Sequence, residues 1–151
     1  MAKDIIELVK KLRKQTGAGI MECKKALENS KGNLEKAKKI IEKEGIAKAK
    51  KRADKKTAEG YVATYTHNTG KVGVIVEVLC ESDFVSRSDQ FRSLTKNLCL
   101  QIAAMEPKTV KELKAQDYIR EPEKTISDLL KATIAKFGEN IKINRFERFE
   151  I

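Results

Sequence analysis

The chain has 151 residues, 40% of them apolar and 36% charged, which suits one globular domain or two small ones rich in helix. No apolar run approaches the length of a membrane span, and three widely separated cysteines with no Cys-x-x-Cys pair argue against a zinc site or a disulfide scaffold and for buried thiols. The net charge of +10 is unevenly placed: residues 1–56 hold 18 Lys or Arg against 8 Asp or Glu, whereas residues 57–151 hold 14 of each, so only the first third is steered towards something acidic.

Lys3 and Asp4 precede the first apolar pair and no signal-peptide core follows, so a cytoplasmic location is expected. Asp4 and Glu7 have capping-box spacing, and Ile5, Leu8, Val9 and Leu12 form the stripe of a first helix that Gly17 can end in the left-handed conformation. A second helix spans about Ile20 to Asn29. On it Ile20, Cys23 and Leu27 share the stripe that should face a core, while Met21 shares its face with Lys24, Lys25 and Glu28. Gly32 and Asn33 supply a stop and a cap for a third helix, built on Leu34, Ala37, Ile40 and Ile41 and ending at Gly45. These helices define a three-helix domain over residues 1–45. Residues 46–56 hold no large apolar side chain after Ile46 and read as a basic linker, helical or frayed.

Past Glu59-Gly60 the apolar period changes from helical to two. Tyr61 to His67 is a β-branched and aromatic run, Asn68-Thr69-Gly70-Lys71 a turn, and Val72, Val74, Val76 and Val78 alternate on one face of a second strand. Ile75 and Leu79 on the other face predict a strand covered on both sides. A helix follows from about Ser88 to Met105, and Thr109 with Glu112 marks a brief capped turn. Thr125 and Asp128 start a last helix ending at Gly138. In Ile141 to Ile151, Phe146 falls out of phase with Phe149, so either a bulge intervenes or both faces are buried. The fold class is α+β: the three-helix domain and a core over residues 57–151 of a small antiparallel sheet with helices to one side.

Little here supports catalysis. His67, the only histidine, lies at a hairpin turn with no carboxylate or nucleophile beside it, and Gly17-Ala18-Gly19 lacks the preceding strand and Lys-Ser/Thr ending of a phosphate loop. The chain is read as no enzyme, with no metal site and no cofactor. Glu81 to Arg87 is a polar connection with Phe84-Val85 at its centre. It is either a helix start capped by Ser82 or Ser88 with Phe84 folded onto the core, or a strand-end loop that thrusts Phe84 and Asp83 outward.

Together, Leu12 to Leu27 and the later Ser82-Asp83-Phe84-Val85, with Ile134 to Ile141 near the end, resemble bacterial-type elongation factor Ts across essentially the whole chain. The resemblance implies a translation elongation factor that exchanges guanine nucleotide on elongation factor Tu, promoting GDP release by displacing magnesium and disturbing the phosphate site. It implies a ubiquitin-associated-like N-terminal domain that docks through Arg13, Ile20 and Met21. It also implies that Ser82, Asp83, Phe84 and Val85 form the magnesium-dislodging motif, with the phenylalanine as a wedge. Ser82 stands where the family usually has threonine and keeps the hydroxyl; Ile20 stands where methionine is usual and keeps the bulk. Longer members of the family continue into a second, related half beyond the point matching Ile151, so a homodimer is expected to supply those contacts. The alternative is a basic nucleic-acid-binding module, but a second helix that opens Ile20-Met21 lacks the Arg, Asn or Gln side chains that read base edges, which leaves only indirect or nonspecific contact. An adaptor acting through the Gly17 to Met21 turn alone would leave the core without a task.

Overall fold

The computed structural model describes residues 2–151. In chain order the elements are α1 (Ala2–Thr16), α2 (Ile20–Asn29), α3 (Leu34–Arg52), β1 (Glu59–Thr66), β2 (Val72–Cys80), α4 (Asp83–Arg87), α5 (Asp89–Met105), α6 (Val110–Ala115), β3 (Asp117–Tyr118), β4 (Glu121–Thr125), α7 (Ile126–Phe137) and β5 (Lys142–Glu150). They divide into two compact units, one of residues up to Ala53 with Lys131–Gly138, the other of Asp54–Leu130 with Glu139–Ile151.

In the first unit Val9 and Leu12 of α1, Cys23, Ala26 and Leu27 of α2 and Ala37 of α3 form one buried cluster, with Leu8, Leu34, Ile40 and Ile41 against it. The stripes therefore meet as their spacing dictates. Gly17, at φ +71°, closes α1 with its N–H on the Arg13 carbonyl at 2.8 Å, and the Asn33 side chain caps α3 through the Lys36 N–H at 2.9 Å. Three details depart from the expected pattern. Ile5, the first residue of the α1 stripe, is 45% exposed and lies outside the cluster. Ile20, the first residue of α2, is 56% exposed, whereas Ala18 before it and Cys23 after it are buried. Helix α3 also runs on through Gly45 to Arg52. Gly45 is buried, and a Cβ there would lie 3.3 Å from the Cβ of Ala135 on α7, so this glycine lets two helices approach instead of stopping one. Ala49, one turn on, is buried as well, which gives the extension something to pack.

The second unit is built on the sheet β1-β2-β5, antiparallel throughout, with the hairpin turn closed by His67 N–H on the Val72 carbonyl at 2.8 Å. Val74, Val76, Val78 and Cys80 point to the core, where Phe91, Leu94, Leu98, Cys99 and Ile102 of α5 meet them. The other face is not covered as expected: Ile75 is 42% exposed, since α4 and α5 pack on one side of the strands only. At β5 the pairing passes from Glu77↔Arg145 to Val78↔Ile143, so Asn144 is a bulge and the phase slip at Phe146 has its cause. The bulge also lets Asn144 and Arg145 both donate to the Glu77 carboxylate at 2.8 Å, which holds its pKa below the usual range.

The short hairpin β3-β4 lies where no strand was expected, its sequence being polar and interrupted by Pro122. It depends on a distant residue. Gln101 of α5, wholly buried, donates to the Asp117 carbonyl at 3.0 Å and accepts the Ile119 N–H at 3.0 Å. At the start of α7, Thr125 and Asp128 bond each other's backbone N–H as their spacing suggested.

All three cysteines are buried and free. Burial raises the Cys23 thiol above its usual range and lifts Cys80 and Cys99 to about 11, the Glu139 carboxylate adding to the effect at Cys80. A raised pKa means that the folded thiols keep their protons where unfolded ones have lost them. Their contribution to stability is therefore whole below the ordinary thiol value of 9.0 and lost as the pH rises towards about 11. Thermal melts should fall across that window, and iodoacetamide at pH 8 should leave the folded thiols unmodified.

Candidate functional site

Large apolar side chains stand in solvent at two turns, one in each unit. In the second unit strand β2 ends at Cys80, and Ser82, in extended conformation, caps the five-residue α4 by accepting the Val85 N–H at 3.4 Å. Ser88 then caps α5 through the Phe91 N–H at 3.2 Å and donates its hydroxyl to the Val85 carbonyl at 2.7 Å. Both serines cap, as one of the two sequence readings had it. Phe84, however, does not fold back: it is 85% exposed. Asp83 pairs with Arg87 at 3.4 Å one turn on, and Val85 is half-buried. Ser82, Asp83, Phe84 and Val85 thus share one helical turn with the aromatic ring outermost.

The backbone entering this turn is held from across the sheet. Glu139 accepts the N–H of Glu81 at 3.2 Å, the N–H of Ser82 at 3.0 Å and the Ser82 hydroxyl at 2.5 Å. The Cys80 thiol donates to the Ser82 carbonyl at 3.2 Å.

In the first unit the turn Thr16 to Gly19 is fixed by the Thr16 hydroxyl on the Leu12 carbonyl at 2.8 Å and by Glu22, which accepts the Gly19 N–H at 3.1 Å. Next to it Ile20 is exposed and Met21 is 72% exposed; Arg13, in the last turn of α1, is exposed too. Met21 also lines a groove of about 660 Å³ between α2 and the extended part of α3, whose walls carry Lys24, Lys25, Lys48 and Lys51 together with Glu22, Glu28 and Glu44. A Lys48–Glu22 ion pair spans that groove. An exposed methionine beside lysines offers an acidic partner both apolar contact and charge.

Among the described residues no group of His, Cys, Asp and Glu could hold a metal ion, and His67 has the Tyr65 hydroxyl 3.0 Å from its Nδ1. Nor is any helix among them long and apolar enough to cross a membrane.

The family model described as elongation factor TS matches residues 81–151, the part that contains both Phe84 and Glu139. Elongation factor Ts of Thermoanaerobacter sp. (strain X514) is 41% identical over 95% of this chain and 93% of its own length, and that of Thermotoga neapolitana is 38% identical over 97% and 96%. The chain belongs to the elongation factor Ts family. It is therefore a member of a family of translation elongation factors. Elongation factor Ts of Nostoc sp. (strain PCC 7120) is 46% identical over the whole of this chain, which spans 48% of that relative.

In this elongation factor Ts family member the sequence points to the turn that carries Phe84 but not to Glu139, which holds the backbone entering that turn. Glu139 lies within the Ile134 to Ile141 segment, where the sequence alone assigns it no role. Its only local signal is a carboxylate just past the helix-ending Gly138, with φ +68°, and nothing local says what that carboxylate would bond.

Proposed function

We propose that this protein is a guanine-nucleotide exchange factor that binds elongation factor Tu, with or without GDP, and speeds GDP release. The observation that carries the reading is Phe84, an almost fully exposed aromatic ring at the tip of a short helix with both ends capped. Such a ring gains nothing from the fold around it and contributes only when a partner buries it. In this reading Arg13, Ile20 and Met21, on a three-helix unit similar to ubiquitin-associated domains, anchor the complex. Ser82, Asp83, Phe84 and Val85 then act on the nucleotide site.

The mechanism is coupling between two binding events. Whatever weakens nucleotide binding must itself bind more weakly when nucleotide is present, by the same factor. A divalent cation bound with the nucleotide in the partner would supply a large local charge interaction there, and displacing it would weaken nucleotide binding with no covalent step. Phe84 and Asp83 supply bulk and negative charge at that point, and the basic first unit holds the complex while they do. The protein is no enzyme in the covalent sense, needs no cofactor of its own and acts in the cytoplasm.

The experiment loads elongation factor Tu with fluorescent GDP and follows release on adding the intact protein. Acceleration is expected, and Met21→Ala should raise the concentration needed to reach it while leaving the saturating rate near that of the parent. No acceleration by the intact protein sinks the reading. The same reading has two copies pair, supported by Val62, Ile75 and Phe149, which stand exposed on the uncovered face of the sheet. Analytical ultracentrifugation at micromolar concentration should then give the mass of two chains, and a single-chain mass would contradict it.

A further inference from the structure

Helix α4 has five residues, far too few to hold itself together in water. Phe84 has no core contact to keep its place either. The direction in which its ring points is therefore inherited from the backbone that carries it: α4 packs on β1, β2 and α5, Ser88 holds its C-terminal end, and Glu139 holds the backbone that enters it at Glu81 and Ser82.

The tie is double. Glu139 Oε2 accepts both backbone N–H groups, at 3.2 and 3.0 Å, while Oε1 accepts the Ser82 hydroxyl at 2.5 Å. In return, Glu81 Oε1 accepts the Asn140 N–H at 2.6 Å, and Asn140 Nδ2 donates to the Lys55 carbonyl at 2.9 Å. Hydrogen bonds to an ionised acceptor are roughly twice as strong as neutral ones. The latch sits where two paired strands diverge, β2 having just ended at Cys80 and β5 about to begin at Lys142, opposite Leu79. The Ser82 hydroxyl completes the chain of command: it donates to Glu139 and accepts from Val85 N–H, so one oxygen joins the carboxylate to the first turn of α4.

We propose that Glu139 is a positioning residue for nucleotide exchange, clamping the Ser82 backbone and hydroxyl so that Phe84 meets its partner as a fixed wedge and not a yielding one. The inference rests on the exchange-factor reading above. A side chain that only stabilised the fold would change the melting temperature and leave the activity of the folded molecules alone. A positioning residue changes the saturating exchange rate with little change in affinity, because the docking residues on α2 are untouched.

The test titrates the full-length protein and its variants, each checked for folding by circular dichroism, against elongation factor Tu carrying fluorescent GDP. Glu139→Ala is expected to lower the saturating rate by about ten- to a hundredfold, the scale of a misplaced contact. The half-saturating concentration should stay within about threefold. Glu139→Gln can still accept both N–H groups with its carbonyl oxygen and donate its amide to the Ser82 hydroxyl, so it should recover most of the rate. A folded Glu139→Ala variant with the parent's saturating rate overturns the inference and leaves the exchange reading standing; an inactive parent overturns both. If Glu139→Ala does not fold, amide hydrogen exchange in the parent decides. Protection at Glu81 and Ser82 supports the clamp, and exchange at free-chain rates refutes it.

Discussion

Phe84→Ala is expected to yield a protein that folds and docks normally but, on the proposed exchange function, has lost most of its power to release GDP from elongation factor Tu. With the ring 85% exposed, nothing in the fold is given up, and the melting temperature should move by no more than a surface substitution allows, within about 0.5 kcal/mol. What is lost is the burial of the ring in the partner. Fully burying a phenylalanine contributes about 1.5 to 3 kcal/mol, which is roughly ten- to a hundred-and-fifty-fold in an equilibrium. If that energy is realised only when the nucleotide is leaving, the whole factor appears in the release rate and little of it in the affinity for the GDP-bound partner. Stopped-flow release of fluorescent GDP at saturating protein measures it. An unchanged rate per folded molecule would remove Phe84 from the mechanism.

Phe91→Ala, seven residues further on, should behave in the opposite way. This ring is wholly buried at the start of α5, where the helix lies against β1 and β2. Truncating a buried phenylalanine costs about 3 to 5 kcal/mol, transfer and cavity together. Against a total stability of about 5 to 15 kcal/mol this is enough to unfold the second unit in mild denaturant. Urea titration followed by circular dichroism should show an unfolding transition at a lower urea concentration than the parent's. Because Phe91 N–H is the donor that Ser88 caps, and Ser88 also holds the Val85 carbonyl, exchange activity should be lost with the fold. A midpoint shift worth less than about 1 kcal/mol would show that the cavity closes up and that α5 is not the keystone of the sheet.

The two phenylalanines mark the boundary of what a linear reading can see. Helical spacing puts Phe91 on one stripe with Leu94, Leu98, Ile102 and Met105, and the first four are buried while Met105, at the end of the helix, is 45% exposed. Periodicity could not assign Phe84, which belongs to a segment too short to have a period. Both of its alternatives held something true, the caps of one and the exposed ring of the other. Gly45 and Asn144 are similar cases. A glycine in a helical pattern stops the helix or lets a neighbour approach, and only the presence of Ala135 decides between them. A lost phase in a strand means a bulge or two buried faces, and only the register against Val78 tells which. The hairpin β3-β4 had no local signal at all, because its strands are fastened by Gln101 from another element.

By itself, then, the sequence determined the helices, the main hairpin, the N-terminal concentration of positive charge and the family, because caps, periods, charges and motifs are short-range properties written in adjacent residues. The tertiary structure alone decided that α3 continues to Arg52, that one face of the sheet stays open and that Phe84 points outward on a turn clamped by Glu139. Those outcomes depend on groups far apart in the chain, as Gly45 approaches Ala135 and as Ser82 and Glu81 meet Glu139 across 57 and 58 positions. A carboxylate carries no sign, at its own position, of the N–H groups that folding will bring to it.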